Sequence, residues 1–480
     1  MAVLTILFAI PGLALQPIKI SGQYLVNSGS ENLFQIIGVA YQPGGQSGYD
    51  PGSGKDPLSD GDACLRDAAL MQRLGINAIR VYNLDPKVNH DLCASIFNSV
   101  GIYMLLDVNS PLGGESINRG DPGSSYTTSY LTRIFAIVEA FKSYPNTLAF
   151  FGGNEIINDI PSAKIIPPYI RAVTRDLKNY IAKHSQRTIP VGYSAADVRE
   201  VLTDTWAYLQ CTTSSDPNTS DPSRADLFAL NSYSWCGPTA TFQTAGYDKI
   251  VSNFGNSTIP VFFSEYGCNK VIPRTFEEVG TLYGSQVTPV LSGGLVYQWT
   301  QDESNYGLVN VSTTSQLRSD YDNLQLQFSK LDITKLQSHK ASSSSNTPTA
   351  PPACSSDLIS NSGLSKDFTL PKLPDGAQDL IDNGIPNPPV GKLVDVTETQ
   401  VKKEVLDSRG TKLEGLAINK LPADATINAP VTASSATGSP TATATASGTP
   451  APKKAIGSQF GTSGLCVAMA IVVGGIMVGR

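Results

Sequence analysis

Residues that bind metals and nucleic acids are scarce in this sequence. It has three histidines, His90, His184 and His339, and none has the spacing to other ligands that is typical of a metal site. The net charge is −6 and no basic run occurs, which argues against a nucleic-acid partner. We therefore predict no metal, no cofactor and no nucleic acid as ligands of this protein.

The C-terminal apolar run is too short for an ordinary membrane-spanning helix. Residues 465–479 form a run of 15 residues, whereas a spanning helix needs about 20. Small residues and a polar spacer precede the run, the order that is typical of a glycosylphosphatidylinositol (GPI) attachment signal. We predict that residues 459–480 are a GPI signal tail that is removed, with the anchor site at 446–448 or 457–458. A short C-terminal membrane helix is the alternative.

The N-terminus also resembles a processing signal. An apolar run at 2–10 precedes small residues suited to cleavage after Ala14, although the usual basic residues before it are missing. We predict a signal peptide over 1–14, and a plain N-terminal strand is the alternative. Secretion fits the possible glycosylation sites at Asn218, Asn256 and Asn310.

Cysteine is sparse but its number is informative. There are seven cysteines, and Cys466 lies in the predicted tail, so six remain in the mature protein. In a secreted protein six cysteines can form three disulfides. The sequence alone leaves their pairing open.

Short apolar runs alternate with longer helical patterns between residues 33 and 301. Each run is nearly continuous in apolar residues, as expected for strands buried on both faces of a parallel sheet. The runs are 34–41, 76–82, 103–109, 148–155, 188–195, 226–233, 260–267 and 293–300. With helix-like stretches such as 63–74 and 169–184 between them, they predict an α/β fold, a (β/α)8 TIM barrel. A doubly wound open sheet is the alternative, but its glycine-rich phosphate fingerprint is missing after the first run.

The composition changes after residue 336. We predict a catalytic domain over 15–336 and a linker over 337–354, whose Cys354 can be tied back to the barrel. Residues 355–430 are polar with scattered prolines, and we predict that they are mostly irregular. The Ser-, Thr-, Pro- and Ala-rich segment 431–458 resembles an O-glycosylated stalk that cannot bury enough surface to fold. Together these segments indicate a spacer between a globular head and a membrane anchor.

Two glutamates stand where catalytic groups of such a barrel are found. Catalytic side chains of TIM barrels lie at the C-terminal ends of strands, and only the fourth and seventh runs end in glutamate, Glu155 and Glu265. These strands face each other across the barrel mouth. Two carboxylates about 5–5.5 Å apart are typical of a retaining glycosidase, one as acid/base and the other as nucleophile. The alternative is that each glutamate only pairs with an arginine.

The neighbouring strand ends suit sugar binding. Tyrosines supply flat apolar faces and hydroxyl groups, and Asn154 can bind a sugar 2-hydroxyl. The tyrosines at strand ends are Tyr41, Tyr82, Tyr233 and Tyr297. Packing at the rim is the alternative for each of them. Arg80 either orients a carboxylate or forms an ion pair inside the barrel.

Several motifs together resemble one known family. They are GVAYQ (38–42), RVYN (80–83), NHDLC (89–93), LDVN (106–109), GGNE (152–155), VGYSAAD (191–197), YSWCG (233–237), FFSEYGC (262–268) and QDESNYGLV (301–309). In this order they resemble glycoside hydrolase family 72, the fungal GPI-anchored β-1,3-glucanosyltransferases. The resemblance extends from about residue 17 through Cys354 and on to the stalk and anchor signal.

The resemblance implies a role for several residues. Glu155 is then the acid/base and Glu265 the nucleophile. The implied substrate-binding residues are Tyr82, Asn154, Asp197 and Tyr297, with Asp107 and Asn109 near the acceptor. The loop 108–118 and an aromatic rim of Tyr233, Trp235 and Tyr297 are further candidates for acceptor binding. The family's disulfides map to Cys64–Cys93, Cys211–Cys354 and Cys236–Cys268.

This sequence departs from the family pattern at two places. Leu202 stands where the family usually has an arginine, five residues after Asp197, and Arg199 is displaced from that position. Between the barrel and the tail only Cys354 is present, so the chain resembles the members without a cysteine-rich carbohydrate-binding module.

The resemblance implies a wall-remodelling transglycosylase. Such an enzyme cleaves β-1,3-glucan internally and transfers the new reducing end to the non-reducing end of another β-1,3-glucan. Its partners are donor and acceptor glucan chains and the plasma membrane, through the lipid. We expect it at the extracellular face of that membrane, with the cell wall as a second location. An endo-β-1,3-glucanase and a non-catalytic glucan-binding protein are the alternatives.

Overall fold

A computed structural model describes residues 15–45, 49–216, 220–340 and 350–422. The predicted signal peptide, stalk, signal tail and Asn218 lie outside these residues. The strands are β1 (Ile18–Ser21), β2 (Tyr24–Asn27), β3 (Ile36–Tyr41), β4 (Ala78–Val81), β5 (Tyr103–Asp107), β6 (Thr147–Asn154), β7 (Val191–Ala196), β8 (Leu227–Asn231), β9 (Val261–Tyr266), β10 (Leu291–Val296), β11 (Val309–Asn310), β12 (Ser315–Leu317) and β13 (Val405–Leu406).

The helices of the described residues lie outside the strands. They are α1 (Gly61–Leu74), α2 (Asp91–Ser99), α3 (Pro122–Ser125), α4 (Thr128–Phe141), α5 (Ile160–Ile165), α6 (Pro167–His184), α7 (Leu202–Gln210), α8 (Tyr247–Phe254), α9 (Glu278–Leu282), α10 (Ser319–Phe328), α11 (Ile333–Leu336) and α12 (Ala377–Asn383). None of them is long and apolar enough to cross a membrane.

Strands β3 to β10 form a closed barrel of parallel strands, and β10 pairs with β3 to close it. The eight apolar runs of the sequence coincide with these strands, so the TIM-barrel prediction is confirmed and the open sheet is excluded. The two helical stretches named from the sequence are α1 and α6. Asp60 caps α1 by accepting a hydrogen bond from the Ala63 amide at 3.0 Å, and Gly75 ends it with a φ of 78°.

Apolar side chains fill the barrel and close its floor. The interior cluster contains Tyr103, Leu105, Phe151 and Phe262, and the antiparallel β1–β2 hairpin adds Ile18 and Leu25 from below. A second cluster lies between the strands and the helices. Because the floor is apolar and sealed, polar side chains gather at the opposite end, where the parallel strands terminate.

The segment 350–422, which we call the strap, packs along the outside of the barrel. It begins at the Cys211–Cys354 disulfide, and its polar groups then contact the helices in reverse chain order. The contacts include Ser360 to Asp204 on α7, Asp382 to Lys183 on α6, Lys392 to Asp91 on α2 and Lys403 to Asp60 before α1. Strand β13 of the strap then pairs with β12.

The strap differs from the spacer expected after residue 336. It has little regular structure, in keeping with the sequence, yet Ile359, Ile381, Val405 and Ile418 are buried against the barrel helices. These apolar residues are isolated in the sequence, and their spacing matches neither a helix nor a strand. The sequence pattern therefore does not predict that they are buried. The strap ends at the floor, where the amide of Leu421 donates to the carbonyl of Ser99 at 2.8 Å.

Candidate active site

The end of β6 places Glu155 at the barrel mouth. The ladder between β6 and β7 shifts register between Phe151 and Gly153, and a Cβ on Gly153 would lie 2.6 Å from Ile156. Glu155 itself has a φ of 47°, in the left-handed region, and its amide donates to Ser194 at 2.8 Å. Gly153 therefore allows the strand to bend at the register shift, and the Glu155 side chain reaches the cavity.

Glu265 lies within β9 and is only 7% exposed. Its two oxygens accept hydrogen bonds from the hydroxyls of Tyr82 at 2.8 Å and Tyr233 at 2.6 Å. Burial raises the pKa of this carboxyl, the Arg80 guanidinium opposes that rise, and the charge of Glu155 adds to it. The charge of Glu155 therefore acts on Glu265, and both glutamates line the same cavity.

Arg80 is fully buried at the centre of the site. Its guanidinium forms an ion pair with Asp107 at 3.0 Å and donates to Glu265 at 3.3 Å and to Asn154 at 2.9 Å. Both interpretations of Arg80 are therefore correct, because one side chain pairs inside the barrel and orients a carboxylate. Its charge favours the ionised form of Glu265 and so opposes the effect of burial.

Asn231 joins the two glutamates into one network. Its Nδ2 donates to Glu155 at 2.8 Å, and its Oδ1 accepts from Arg80 at 3.3 Å and from Ser264 at 2.8 Å. Ser194 donates to Asn154 at 2.8 Å and lies 2.9 Å from Ser264. Asn231 was not among the residues predicted from the sequence, although it is the last residue of β8, at the same mouth as the other site residues.

A cavity of about 640 Å³ opens above this network. Five of the predicted residues besides the two glutamates line it, namely Tyr82, Asp107, Asn109, Asn154 and Tyr297. Asn109 is fixed by donating to the Gly152 carbonyl at 2.8 Å and accepting from Tyr130 at 2.8 Å. The carboxylates, amides and phenol rings of this lining match the hydroxyls and apolar faces of a sugar chain.

Four lining residues were absent from the sequence-based set: Gln42, Asn83, Arg119 and Ile156. Asn83 is 4% exposed with a φ of 57°, and its Nδ2 has no hydrogen-bond partner among the described residues. The motif RVYN contains Asn83, so its position next to Tyr82 was the available signal. Asn118 and Arg119 come from the loop after β5, which bounds the cavity beside Glu155 and Ile156.

The aromatic residues predicted at the strand ends do not form one rim in the structure. Tyr233 donates to Glu265, and its ring centroid lies 6.2 Å from that of Tyr297 and 5.4 Å from that of Tyr306. Trp235 is not part of a rim, because it is only 6% exposed and packs on Tyr247. Tyr41 points outward from the barrel and donates to Asp67 at 2.9 Å, so it belongs to the packing between β3 and α1.

Asp197 lies apart from the residues that line the cavity. Arg199 forms an ion pair with it and also donates to Oδ2 at 2.7 Å, while Ser232 donates at 3.1 Å. Leu202 is buried at the start of α7. The family pattern places an arginine five residues after Asp197. In this chain the guanidinium that contacts Asp197 belongs to Arg199, two residues after it.

Three disulfides brace the described chain, with the pairing that the resemblance implies: Cys64–Cys93, Cys211–Cys354 and Cys236–Cys268. The side chains of Asn256 and Asn310 are exposed, so both sites are accessible to glycosylation. Among the residues that the structure describes, no group of three or more His, Cys, Asp or Glu side chains is placed to hold a metal ion.

Comparison with known proteins identifies one family. A family model described as Glucanosyltransferase, of glycoside hydrolase family 72, matches residues 11–332. The chain is 51% identical over 424 residues to 1,3-beta-glucanosyltransferase gel2 of Aspergillus fumigatus, covering 88% of this chain and 86% of that protein. It is 47% identical over 379 residues to probable 1,3-beta-glucanosyltransferase GAS3 of Saccharomyces cerevisiae, covering 77% and 71%.

Solved structures agree with the sequence relatives. A mutant of Gas2p from Saccharomyces cerevisiae, in complex with laminaritetraose and laminaripentaose, superposes with a TM-score of 0.64 and 35% sequence identity. The match covers 75% of this chain and 75% of that one.

Proposed function

Because the chain belongs to the glucanosyltransferases of glycoside hydrolase family 72, we propose that Glu265 and Glu155 together cleave and rejoin β-1,3-glucan. The activity is that of a β-1,3-glucanosyltransferase. The observation that carries the residue assignment is the asymmetry between the two carboxylates. Glu265 is buried and held by Arg80, Tyr82 and Tyr233, whereas Glu155 faces the cavity and accepts from Asn231.

In the first step, Glu265 attacks the anomeric carbon of a glucan bound in the cavity. The glycosidic bond breaks, and Glu155 gives its proton to the leaving oxygen. The three donors around Glu265 keep one carboxylate orientation, so the nucleophile does not have to reorganise before attack. Asn154 has its Oδ1 saturated by Arg80 and Ser194, and its Nδ2 is then the group that donates to a sugar hydroxyl.

In the second step, the glycosyl ester on Glu265 is transferred to another glucan. Glu155, now deprotonated, removes the proton of the acceptor 3-hydroxyl as its oxygen attacks the anomeric carbon. Two inversions restore the β configuration. Water is in large molar excess, so transfer requires that bound acceptor has a high effective molarity, which can reach about 10⁵ M in favourable intramolecular cases. The loop after Asp107, with Asn118 and Arg119 on the Glu155 side of the cavity, supports this proposal.

The test is product analysis with one defined reduced β-1,3-glucan oligosaccharide. Transfer predicts products that are both shorter and longer than the donor, all with β linkages. Shorter products alone, at millimolar acceptor, would mean that the protein is the endoglucanase of the alternative hypothesis.

Two variants serve as controls for the residue roles. Glu155→Gln and Glu265→Gln keep the size of the side chain but can neither donate the proton nor attack, so turnover should fall by at least about 10³-fold in each. Their oligosaccharide binding should persist. A Glu265→Gln variant with near wild-type turnover would show that another group is the nucleophile.

We also propose that the protein acts at the extracellular face of the plasma membrane through a GPI lipid. The sequence supports this proposal with its predicted signal peptide, its predicted stalk and its apolar C-terminal run. Three disulfides and two exposed glycosylation sites fit the secretory route.

A further inference from the structure

Arg274 is a buried guanidinium outside the catalytic network. It is 1% exposed and lies in the loop between β9 and α9. Its Nη1 donates to the carbonyls of Gly267, at 3.3 Å, and Tyr297, and its Nη2 donates to the carbonyl of Tyr306. Asp320, in the first turn of α10, forms an ion pair with Arg274, with 2.8 Å between its Oδ1 and the arginine Nε. One side chain therefore binds three backbone segments that are distant in sequence.

Each of those segments carries part of the candidate site. Gly267 follows the strand that bears Glu265, Tyr297 follows β10 and lines the cavity, and Tyr306 lies in the loop to β11. The rings of Tyr297 and Tyr306 are 5.3 Å apart, and both pack on Tyr233. We call these three tyrosines the tyrosine wall.

We infer that Arg274 is a positioning residue that sets the shape of the tyrosine wall and thereby the affinity for glucan. The inference rests on the proposed function, because it takes sugar rings as what the wall contacts. A guanidinium presents several N–H donors in one rigid plane, whereas a lysine ammonium is a single flexible point charge. Only the guanidinium can bind the three carbonyls and Asp320 at the same time.

The chain offers a matched control in Arg171. This arginine is also fully buried, donates to the carbonyls of Tyr208 at 2.8 Å and Cys211 at 3.0 Å, and pairs with Asp221 at 2.8 Å. None of its partners lines the cavity. Replacement of Arg171 therefore reports what the loss of a buried carbonyl-binding arginine does to stability alone.

The experiment compares Arg274→Lys with Arg171→Lys. Both variants should melt at a lower temperature than the wild type. Only Arg274→Lys should raise KM for a β-1,3-glucan oligosaccharide, by about tenfold, because a displaced wall weakens ground-state and transition-state binding alike, and kcat should fall by a smaller factor than KM rises. The Kd of the same oligosaccharide, measured by calorimetry in a Glu265→Gln background, should rise by a similar factor.

The binding measurement separates this inference from the proposed function, because it does not require turnover. If wild-type protein hydrolyses but does not transfer, the proposed function fails while the Kd comparison still tests Arg274. A Kd and KM within twofold of the wild type, together with a melting temperature as low as that of Arg171→Lys, would overturn the inference. Asp320→Asn provides the second variant if Arg274→Lys does not fold, and it should shift KM in the same direction.

Discussion

At the scale of single residues, the neighbours of Glu265 add what the sequence cannot show. The resemblance implies that Glu265 is the nucleophile, and the hydrogen bonds from Tyr82 and Tyr233 support that proposal. A glutamate at a strand end predicts a functional carboxylate. Its protonation state depends on burial and on donors from other strands, and neither is encoded near it in the sequence.

The pH dependence of activity tests the environment of Glu265. Burial raises its pKa, so the acid limb of the kcat/KM profile should lie above the ordinary glutamate value of about 4.3. The Tyr233 hydrogen bond lowers this pKa, so Tyr233→Phe should move the acid limb to higher pH. Tyr306→Phe is the matched control, because its hydroxyl makes no hydrogen bond to Glu265, and the acid limb should then stay in place.

The raised pKa of Glu265 also determines how its contribution to the stability of the fold changes with pH. Because the folded protein holds the Glu265 proton more tightly than the unfolded chain, the Glu265 contribution to stability falls as pH rises through the raised pKa. An acid limb below pH 4 that Tyr233→Phe does not move would contradict the assignment of Glu265.

At the scale of secondary-structure elements, the sequence predicted those elements whose apolar residues form a regular pattern. The eight barrel strands were predictable because strands buried on both faces need nearly continuous apolar runs, such as 148–151 before the two glycines. The packing of the strap on the barrel was not predictable, because its buried residues, such as Ile359, Ile381 and Val405, are isolated in the sequence. Trp235 was placed wrongly because the sequence does not show which side of the β8 loop packs on Tyr247. Asn231 was missed because an amide at a strand end has no distinctive pattern.

The strap should stabilise the barrel although it lies outside the catalytic site. A chain that ends after Cys354 keeps the Cys211 disulfide but loses the buried Ile359, Ile381, Val405 and Ile418. Each such side chain contributes about 1.5–3 kcal/mol by burial, so the melting temperature should fall by about 10 °C or more. Differential scanning calorimetry measures this, and a chain that ends after residue 422 is the control.

If the chain that ends after Cys354 and the chain that ends after residue 422 melt at the same temperature, the strap does not stabilise the barrel and is only a spacer. Loss of β13 also removes the parallel partner of β12, so the shorter chain should show a higher KM if the loop that carries Tyr306 depends on that sheet.

At the scale of the whole molecule, the proposed attachment and the proposed catalytic residues belong to different parts of the chain. The described residues contain Glu155, Glu265 and the three disulfides. The proposed anchor depends on the C-terminal sequence beyond them.

Attachment can therefore be tested without disturbing the site. Full-length protein expressed in a fungal host should sediment with membranes and be released by a phosphatidylinositol-specific phospholipase C. A chain that ends after residue 422 should instead accumulate in the medium with unchanged kcat/KM, because every residue of the cavity is retained. Release of the full-length protein by high salt alone would exclude covalent lipid attachment.

The bond between Leu421 and Ser99 fixes where the chain leaves the barrel. That point is on the sealed floor, at the pole opposite the cavity, so the described chain ends on the far side of the catalytic domain from Glu155 and Glu265. A β-1,3-glucan is a polymer, so a bound chain can extend beyond the cavity on either side. Because residue 422 and the cavity mouth lie at opposite poles, such a chain can lie across the mouth without meeting the point where the described chain ends.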